Sequence, residues 1–213
     1  MRQQILQQSL LFSLLFLLIL PAQFCTAPQK KFTSKASSNK IIVNRLKQLQ
    51  IAIKKTKQLA KNHDYNQQIA FLIDLHLASG SNRFFVIDLK KDSILLSGLV
   101  THGSGSAIQN SDSLIFSNII HSNASSLGMY KIGTRYFGKF GLAFKLHGLS
   151  TTNSNAFARA VVLHSHGCVP ENEVHPNKIC QSWGCPTVAP GFLTKLDTII
   201  QQSEHPILLQ IYY

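Results

Sequence analysis

Acidic residues are scarce in this sequence, which has 9 Asp and Glu against 21 Lys and Arg in 213 residues. None precedes Asp64, whereas from Tyr65 onward ten Lys and Arg stand against eight Asp and Glu. The positive charge therefore belongs to the first part of the chain, and the remainder is nearly neutral. Because a nucleic-acid-binding domain needs a basic body, we expect no nucleic acid partner.

Several familiar signatures are also missing. With 12 Gly and 7 Pro, the composition excludes a collagen-like or low-complexity chain. The glycine-containing loop 101–106 lacks the Lys-Ser/Thr ending of a phosphate-binding P-loop. No acidic pair stands in a context typical of glycoside hydrolysis, and there is no Cys-x-x-Cys pair. We therefore expect no cofactor and no bound metal.

The N-terminus has the layout of a secretory signal. Arg2 precedes an apolar stretch over 5–20, and Pro21 and small residues follow it up to Ala27. We predict a signal peptide over 1–27 and hence an exported protein in an oxidising compartment. The alternative is a membrane anchor, for which the clean apolar run is short. A lipid on Cys25 is disfavoured because the bulky Phe24 precedes it.

Polar and basic residues fill the next part of the chain. Residues 28–39 predict a flexible linker, and 40–64 predict a basic amphipathic helix. Two interpretations of this helix stay open. It packs on the domain with its cationic face in solvent, or its basic face over 40–62 contacts an anionic membrane or wall polymer. Residues at helical steps of three and four define its apolar face: Ile42, Leu46, Leu49, Ile53, Thr56 and Ala60.

From residue 65 onward the pattern changes to short β-type segments separated by turns. A mostly β domain with a few helices is therefore predicted over 65–213. One helix is expected at 190–202, and a hairpin over 136–149 with its turn near 138–141. The other predicted strands cover 69–77, 83–89, 93–100, 160–166 and 206–212.

Cysteine chemistry is indicated by two short segments. His164 lies at the end of a buried strand, where functional groups are often held. Cys185 follows Ser182, Trp183 and Gly184, and the glycine permits a tight turn that exposes the thiol. A nucleophilic cysteine needs a base and amide donors for an oxyanion. We predict His164 as the base and the amides of Gly184 and Cys185 as the oxyanion hole. Trp183 either packs in the core or covers the substrate cleft.

These residues resemble the murein L,D-transpeptidase catalytic domain family, in its subgroup with a Ser-Trp-Gly-Cys-Pro box. The similarity extends from about residue 69 to 213, and one departure is Pro186-Thr187-Val188, where many relatives have an Arg two residues after the nucleophile. Further segments match in the right order: Phe85-Val86-Ile87-Asp88-Leu89, Thr101-His102-Gly103, Phe116-Ser117-Asn118, Ser125-Ser126-Leu127-Gly128, Leu146-His147-Gly148-Leu149 and 155–159.

The resemblance implies a β-sandwich or barrel preceded by the N-terminal helix, in the periplasm or cell envelope of a bacterium. It implies an L,D-transpeptidase acting on peptidoglycan stem peptides, or an L,D-carboxypeptidase when water is the acceptor. Cys185 would be the nucleophile, His164 the base, and Ser165 the group that orients His164. The residues implied to line the substrate cleft are His102, Gly103, Ser182 and Trp183.

Without Cys25, three cysteines remain, so one is unpaired or functional. We predict a disulfide between Cys168 and Cys180, because it would leave the implied nucleophile Cys185 free, whereas a bridge between Cys180 and Cys185 would inactivate it. Two other functions stay open: a non-catalytic wall-binding module using the same cleft, and a zinc-binding hydrolase. The zinc ligands would come from His164, His166, Cys168, His175, Cys180 and Cys185.

Overall fold

The computed structural model describes the backbone of residues 34–213 and the side chains from residue 42 onward. The predicted signal peptide, 1–27, lies outside the described residues, as do positions 28–33 of the predicted linker. Positions 34–39 belong to helix α1 (Ser34–Asn62), so the helix begins six residues earlier than the sequence pattern suggested. The reason is local, because 34–39 contain no Pro or Gly that would stop a helix.

Eight strands form one mixed sheet in the order β3-β2-β1-β8-β4-β5-β6-β7. The pairs β1–β8 and β6–β7 are parallel, and every other neighbouring pair is antiparallel. The strands are β1 (Ile69–Asp74), β2 (Phe84–Asp88), β3 (Ser93–Gly98), β4 (Gly128–Gly138), β5 (Gly141–Gly148), β6 (Val162–Ser165), β7 (Thr187–Val188) and β8 (Leu208–Tyr212).

The two ends of the sheet meet. Val100, two residues after β3, forms an isolated bridge with Val188 of β7. Because β3 and β7 are the outermost strands, this bridge shows that the sheet curls back on itself, as in a barrel. Its inner face encloses the main apolar core, which includes Phe71, Phe84, Tyr130, Phe144, Leu163 and Leu209. The prediction of a mostly β domain with few helices is confirmed.

Helix α2 (Pro190–Gln201) follows β7 and covers one side of this core. Pro190 occupies the first turn, where a missing backbone donor costs nothing. Phe192, Leu193 and Leu196 are buried, and the Phe192 ring packs edge-on against Phe84 at 5.3 Å. The helix predicted over 190–202 is therefore confirmed, and it lies directly after the segment that carries Cys185.

Helix α1 packs on the outer face of the sheet through its C-terminal half. Ile53 and Ala52 lie against β1 and β2, and Ala60 lies against β8 and β4. The Thr56 hydroxyl is buried and lies 3.0 Å from Oε1 of Gln210 in β8. Residues 40–213 accordingly form one compact unit.

Part of the predicted apolar face of α1, in the N-terminal half of the helix, is not buried. Ile42 and Leu46 are 51% and 57% exposed. They continue the stripe that buries Ile53, but no strand within residues 34–213 covers them at that end of the helix. Within residues 34–213, no helix has both the length and the apolar character needed to cross a bilayer.

Candidate active site

A cavity of about 770 Å³ opens beside β6 and β7. One wall comes from the β4–β5 hairpin, through Tyr136, Lys139 and Phe140. The opposite wall contains Trp183 and the short loop that leads to Cys185. His164 and Cys185 both line the cavity, so folding brings together the two residues proposed from the sequence. Within the lining no Asp or Glu occurs, and the cavity therefore favours uncharged or anionic ligands.

The loop that carries Cys185 is fixed by contacts with the segment after β3. Ser182 donates its amide to His102 O at 3.0 Å and accepts the amide of Ser104 at 2.7 Å. Gly184 adopts φ +109°, and a Cβ at that position would lie 2.9 Å from Ala124 O. Only glycine fits this turn without strain, so the sequence Ser-Trp-Gly-Cys places the thiol at a sharp bend.

Cys185 has a free, half-buried thiol. Its Sγ accepts the amide of Val162 at 3.5 Å and faces the carbonyl oxygen of Ala160 at 3.8 Å. Burial raises the pKa of Cys185, while the Val162 amide and the positive charge of Arg159 act in the opposite direction. The thiol is therefore protonated at neutral pH in this arrangement, and it needs a base to react.

His164 is buried on β6 and contacts three groups. Its Nδ1 lies 3.1 Å from Ser165 O, and its Nε2 lies 3.0 Å from the hydroxyl of Thr187. The Phe140 ring stacks on the imidazole at 4.9 Å. Because a carbonyl oxygen only accepts, Nδ1 carries the proton and Nε2 is the basic nitrogen. Burial is the largest influence and lowers the pKa of His164, so the imidazole is neutral.

The predicted site residues divide into two groups. Ser165 contacts His164 through its main chain, and Ser182 and Trp183 line the cavity. Trp183 is 74% exposed, which excludes the core-packing interpretation. His102 and Gly103 do not line the cavity but lie behind the loop, where Gly103 pairs with Ser182.

The predicted oxyanion donors are not equally available. The Gly184 amide already donates to the Ser182 hydroxyl at 3.2 Å. In the described part of the chain, the Cys185 amide has no such partner. The Ser182 hydroxyl itself donates to Cys185 O at 2.6 Å, so Ser182 holds the turn in shape. The amide of Gly184 is therefore occupied in this structure, whereas that of Cys185 is available.

Behind the loop lies a buried pair formed by Arg83 and His102. Arg83 is 1% exposed, and its guanidinium donates to Val100 O, Leu77 O and Nδ1 of His102. Since arginine only donates, Nδ1 of His102 accepts and Nε2 carries the proton. The side-chain amide of Gln181 lies 3.4 Å from Nε2 and accepts this proton with its oxygen turned toward His102. Burial and the nearby Arg83 charge lower the pKa of His102 to about 4. His102 thus supports the loop as a neutral imidazole.

Two residues of the site had no clear signal in the sequence. Arg159 donates to the carbonyl oxygens of Ser117 and Ala124, which ties the loop before β4 to the cavity wall. Thr187 contacts His164 across the β6–β7 pair. Arg159 is recognisable only as the end of a segment matching the family, and Thr187 stands where many relatives have arginine.

Cys168 and Cys180 form a disulfide, as predicted, with their Cα atoms 6.1 Å apart. This bond removes two of the six ligands considered for zinc. Within residues 34–213, no three His, Cys, Asp or Glu side chains come together as metal ligands. The zinc-binding cluster considered from the sequence is therefore not formed.

The geometry of a free thiol and a neutral imidazole in one cavity agrees with the sequence comparison. A family model for the L,D-transpeptidase catalytic domain matches residues 40–210, which is well over half of the chain. The chain belongs to this family. The family comprises peptidoglycan-modifying enzymes that act on stem peptides outside the cytoplasm. No curated protein matches the sequence of this family member.

Solved L,D-transpeptidase structures are similar to it only remotely. The L,D-transpeptidase from Mycobacterium smegmatis is 9% identical, over 68% of this chain and 59% of its own, with a TM-score of 0.40. That from Stackebrandtia nassauensis is 13% identical, over 71% and 58%, with a TM-score of 0.40. The helical cell shape determining protein Pgp2 from Campylobacter jejuni is 12% identical, over 72% and 53%, with a TM-score of 0.41. The chain thus covers less than two thirds of each solved chain, and family membership rests on the family model.

Proposed function

We propose that this family member is a peptidoglycan L,D-transpeptidase that transfers an acyl group through a thioester on Cys185. The observation that carries the proposal is that the free thiol of Cys185 and the neutral, buried imidazole of His164 line the same cavity. Family membership supplies the substrate class, the stem peptides of peptidoglycan. The cavity supports this choice because its lining contains Lys139 and Arg159 but no acidic side chain to repel peptide carboxylates.

In the acylation half, Sγ of Cys185 attacks the carbonyl carbon of the third residue of a stem tetrapeptide. Nε2 of His164 takes the thiol proton, and the carbonyl oxygen becomes an oxyanion that accepts the Cys185 amide. The peptide C–N bond then breaks, and the departing amine of the terminal D-Ala takes the proton from His164. The products are free D-Ala and a thioester between Cys185 and the shortened stem.

In the second half, an amine from another stem peptide attacks the thioester. His164 accepts a proton from this amine and returns one to the departing Sγ, so the thiol is regenerated. The product is a cross-link between the third residues of two stems. When water replaces the amine, the product is a tripeptide, and the same site acts as an L,D-carboxypeptidase.

Ser165 and Trp183 have separate proposed roles. The Ser165 carbonyl holds Nδ1–H of His164, which leaves Nε2 unprotonated and able to act as the base. Trp183 presents a largely exposed ring at the cavity wall, where it can cover a bound peptide. Ser182 shapes the turn that exposes the thiol.

The surroundings of the enzyme follow from the same proposal. Because its substrate lies outside the cytoplasm, we propose export through the signal peptide 1–27 to the periplasm or cell envelope. Contact between the basic helix and a membrane or wall polymer stays a prediction. The apolar face near Ile53 packs on the sheet and is not free for it, whereas Ile42 and Leu46 are exposed.

The test is covalent trapping of the nucleophile by a carbapenem, which the family resemblance implies as an acylating inhibitor. Intact mass is measured before and after exposure, for the wild-type protein and for Cys185→Ala. We expect one adduct on the wild-type protein and none on the variant. Equal mass gains in both proteins, or none in either, would contradict the nucleophile.

Muropeptide digestion separates the remaining functions. Wild-type protein is incubated with purified stem tetrapeptides, and the products are separated by mass. Dimers indicate the transpeptidase, and tripeptides with free D-Ala indicate the carboxypeptidase. If Cys185→Ala binds peptidoglycan as the wild type does and neither protein alters it, the chain is a wall-binding module instead.

A further inference from the structure

The hydroxyl of Thr187 is the partner of the basic nitrogen of His164. Thr187 is 3% exposed, and its Oγ1 lies 3.0 Å from Nε2. The contact is imposed by the parallel pairing of β6 and β7, in which His164 stands opposite Thr187. A buried hydroxyl without a hydrogen-bond partner would destabilise the fold, and Nε2 of His164 supplies that partner.

The backbone around Thr187 is also fixed. Its amide donates to the hydroxyl of Thr101 at 3.2 Å, and that hydroxyl donates to Cys185 O at 3.3 Å. Its carbonyl oxygen accepts the amide of Thr101 at 2.9 Å. Thr101 thus fixes the backbone of Cys185 and of Thr187, which lie on either side of Pro186. The side chain of Thr187 reaches His164 from a rigid support.

We propose that Thr187 is a positioning residue for His164, whose hydroxyl fixes Nε2 as the nitrogen that receives the thiol proton and remains its partner in both protonation states. The hydroxyl donates to the single lone pair of the unprotonated Nε2 in the resting site and releases it when the thiol proton arrives. After rotation, the hydroxyl oxygen accepts from Nε2–H of the imidazolium. The proton balance is simple: the S–H bond of Cys185 breaks, an N–H bond forms at Nε2, and Thr187 is unchanged. This inference rests on the roles proposed for Cys185 and His164.

Thr187 matters because the resting site holds a neutral thiol and a neutral imidazole. His164 is buried and Cys185 is half-buried, and loss of solvation disfavours both the imidazolium and the thiolate. A hydroxyl that accepts from the imidazolium lowers the cost of forming the charged pair. The other titratable or charged groups around the pair include His166 directly after β6, Tyr130 on β4, Tyr136 and Lys139 on the β4–β5 hairpin, His121 in the cavity lining, and Arg159 beside Cys185.

The test is the rate at which iodoacetamide alkylates Cys185 across a range of pH, followed at the Cys185 peptide by mass spectrometry. Thr187→Val keeps the shape and removes the hydroxyl, whereas Thr187→Ser keeps the hydroxyl. At neutral pH we expect iodoacetamide to alkylate Cys185 about tenfold more slowly in Thr187→Val than in the wild type. This is the effect expected when one hydrogen bond to a charged group is lost. Thr187→Ser stays within about threefold of the wild type, since its hydroxyl serves the same nitrogen.

The pH dependence distinguishes positioning from damage to the fold. At alkaline pH the thiol ionises without His164, so the rates of Thr187→Val and wild type should converge. The matched control is Thr56→Val, which removes another buried, hydrogen-bonded hydroxyl far from the cavity and leaves the alkylation profile unchanged. The proposal is overturned if Thr187→Val alkylates like the wild type at neutral pH. It is also overturned if Thr187→Ser is as slow as Thr187→Val.

A second measurement needs no variant. The nitrogen-15 NMR shifts of His164 in the wild-type protein at neutral pH should show a protonated Nδ1 and an Nε2 that accepts a hydrogen bond. A protonated Nε2 and a bare Nδ1 would overturn the proposal. Neither test requires turnover of peptidoglycan, so failure of the proposed function, seen in the muropeptide digestion, is distinguishable from failure of this inference.

Discussion

His102 illustrates how a single residue can belong to an active site without touching its ligand. It lies behind the loop of Ser182, and the donor-only guanidinium of Arg83 requires its Nδ1 to stay unprotonated. Protonation of His102 would therefore place a second positive charge beside a buried one. This explains the direction of its pKa shift and makes the loop sensitive to acid.

We predict that this histidine makes the fold less stable in mild acid. Its pKa is about 4 in the folded protein and about 6.5 in the unfolded chain. Between these values the unfolded chain binds more protons, so the unfolding free energy falls as pH decreases from about 6.5 to 4. The decrease in unfolding free energy that is due to His102 is at most about 3 kcal/mol. His102→Asn, which keeps an acceptor for Arg83, should reduce this loss in denaturant titrations at several pH values.

The control for this prediction is the exposed His63, since His63→Asn should leave the pH dependence as it is in the wild type. Burial also lowers the pKa of His164 and of His147, so some acid sensitivity persists in His102→Asn. Equal slopes in the wild type and His102→Asn would contradict the buried, neutral imidazole.

At the same scale, the sequence pointed to Cys185 and His164, which line one cavity, but not to the residues that support them. Cys185 and His164 were identifiable because a glycine bend before a cysteine and a histidine at a strand end are local patterns. Thr187 was not identifiable, because its contact with His164 depends on a parallel pairing between strands far apart in sequence. His102 was assigned to the cleft because its motif does not reveal on which side of a loop a residue lies.

At the scale of elements, helix α1 owes its position to a short stretch of its length. Ile53 is 2% exposed and lies against β1 and β2, whereas Ile51 is 50% exposed. Ile53→Ala should lower the unfolding free energy by about 2 to 4 kcal/mol, because it leaves a cavity between helix and sheet. Ile51→Ala, the same change on the solvent side, should cost less than about 0.5 kcal/mol. Guanidinium titration of both variants measures the difference.

Similar costs for Ile53→Ala and Ile51→Ala would show that the helix is not held by this face. The prediction also bears on Ile42 and Leu46, which share the stripe of Ile53 in sequence but are exposed. Helical periodicity identified the stripe correctly. It could not show where the sheet beneath the helix ends, because that depends on the lengths of strands elsewhere in the chain.

The strands that were predicted correctly are those with a clear apolar pattern in the sequence, and the strands that were missed lack one. Strands β1 and β2 are recognisable in the sequence as short apolar segments, and their observed bounds fall within the predicted ones. Strand β4 begins at Gly128, eight residues before the hairpin strand predicted from Tyr136. A register shift between Ile132 and Arg135 breaks the alternation there, so the pattern is lost. The two-residue strand β7 exists only through its pairing with β6.

At the scale of the whole molecule, the last strand is the centre of the sheet. β8 pairs in parallel with β1 and antiparallel with β4, so it joins the strands from the two halves of the fold. Its residues Leu208, Leu209 and Ile211 are buried. A chain that stops at Pro206 should therefore lack a cooperative unfolding transition, because both neighbours of β8 would lose their partner.

Circular dichroism during heating tests this prediction. The control is a chain that stops at Tyr212, which keeps all of β8 and loses the contacts of Tyr213 with His76, Phe116 and the amide of Leu114. We expect this control to unfold cooperatively, at a temperature within a few degrees of the wild type. A cooperative transition in the chain that stops at Pro206 would show that the sheet is stable without its central strand.

The central place of β8 has a consequence for biosynthesis. The ribosome adds the residues of β8 after those of the seven other strands of the sheet. Strands β1 and β4 cannot be joined until β8 emerges. The sheet therefore stays incomplete until β8 emerges from the ribosome, and its exposed strand edges need protection from aggregation during that time. Delayed folding of this kind would suit a protein that must cross a membrane as an extended chain before it begins work.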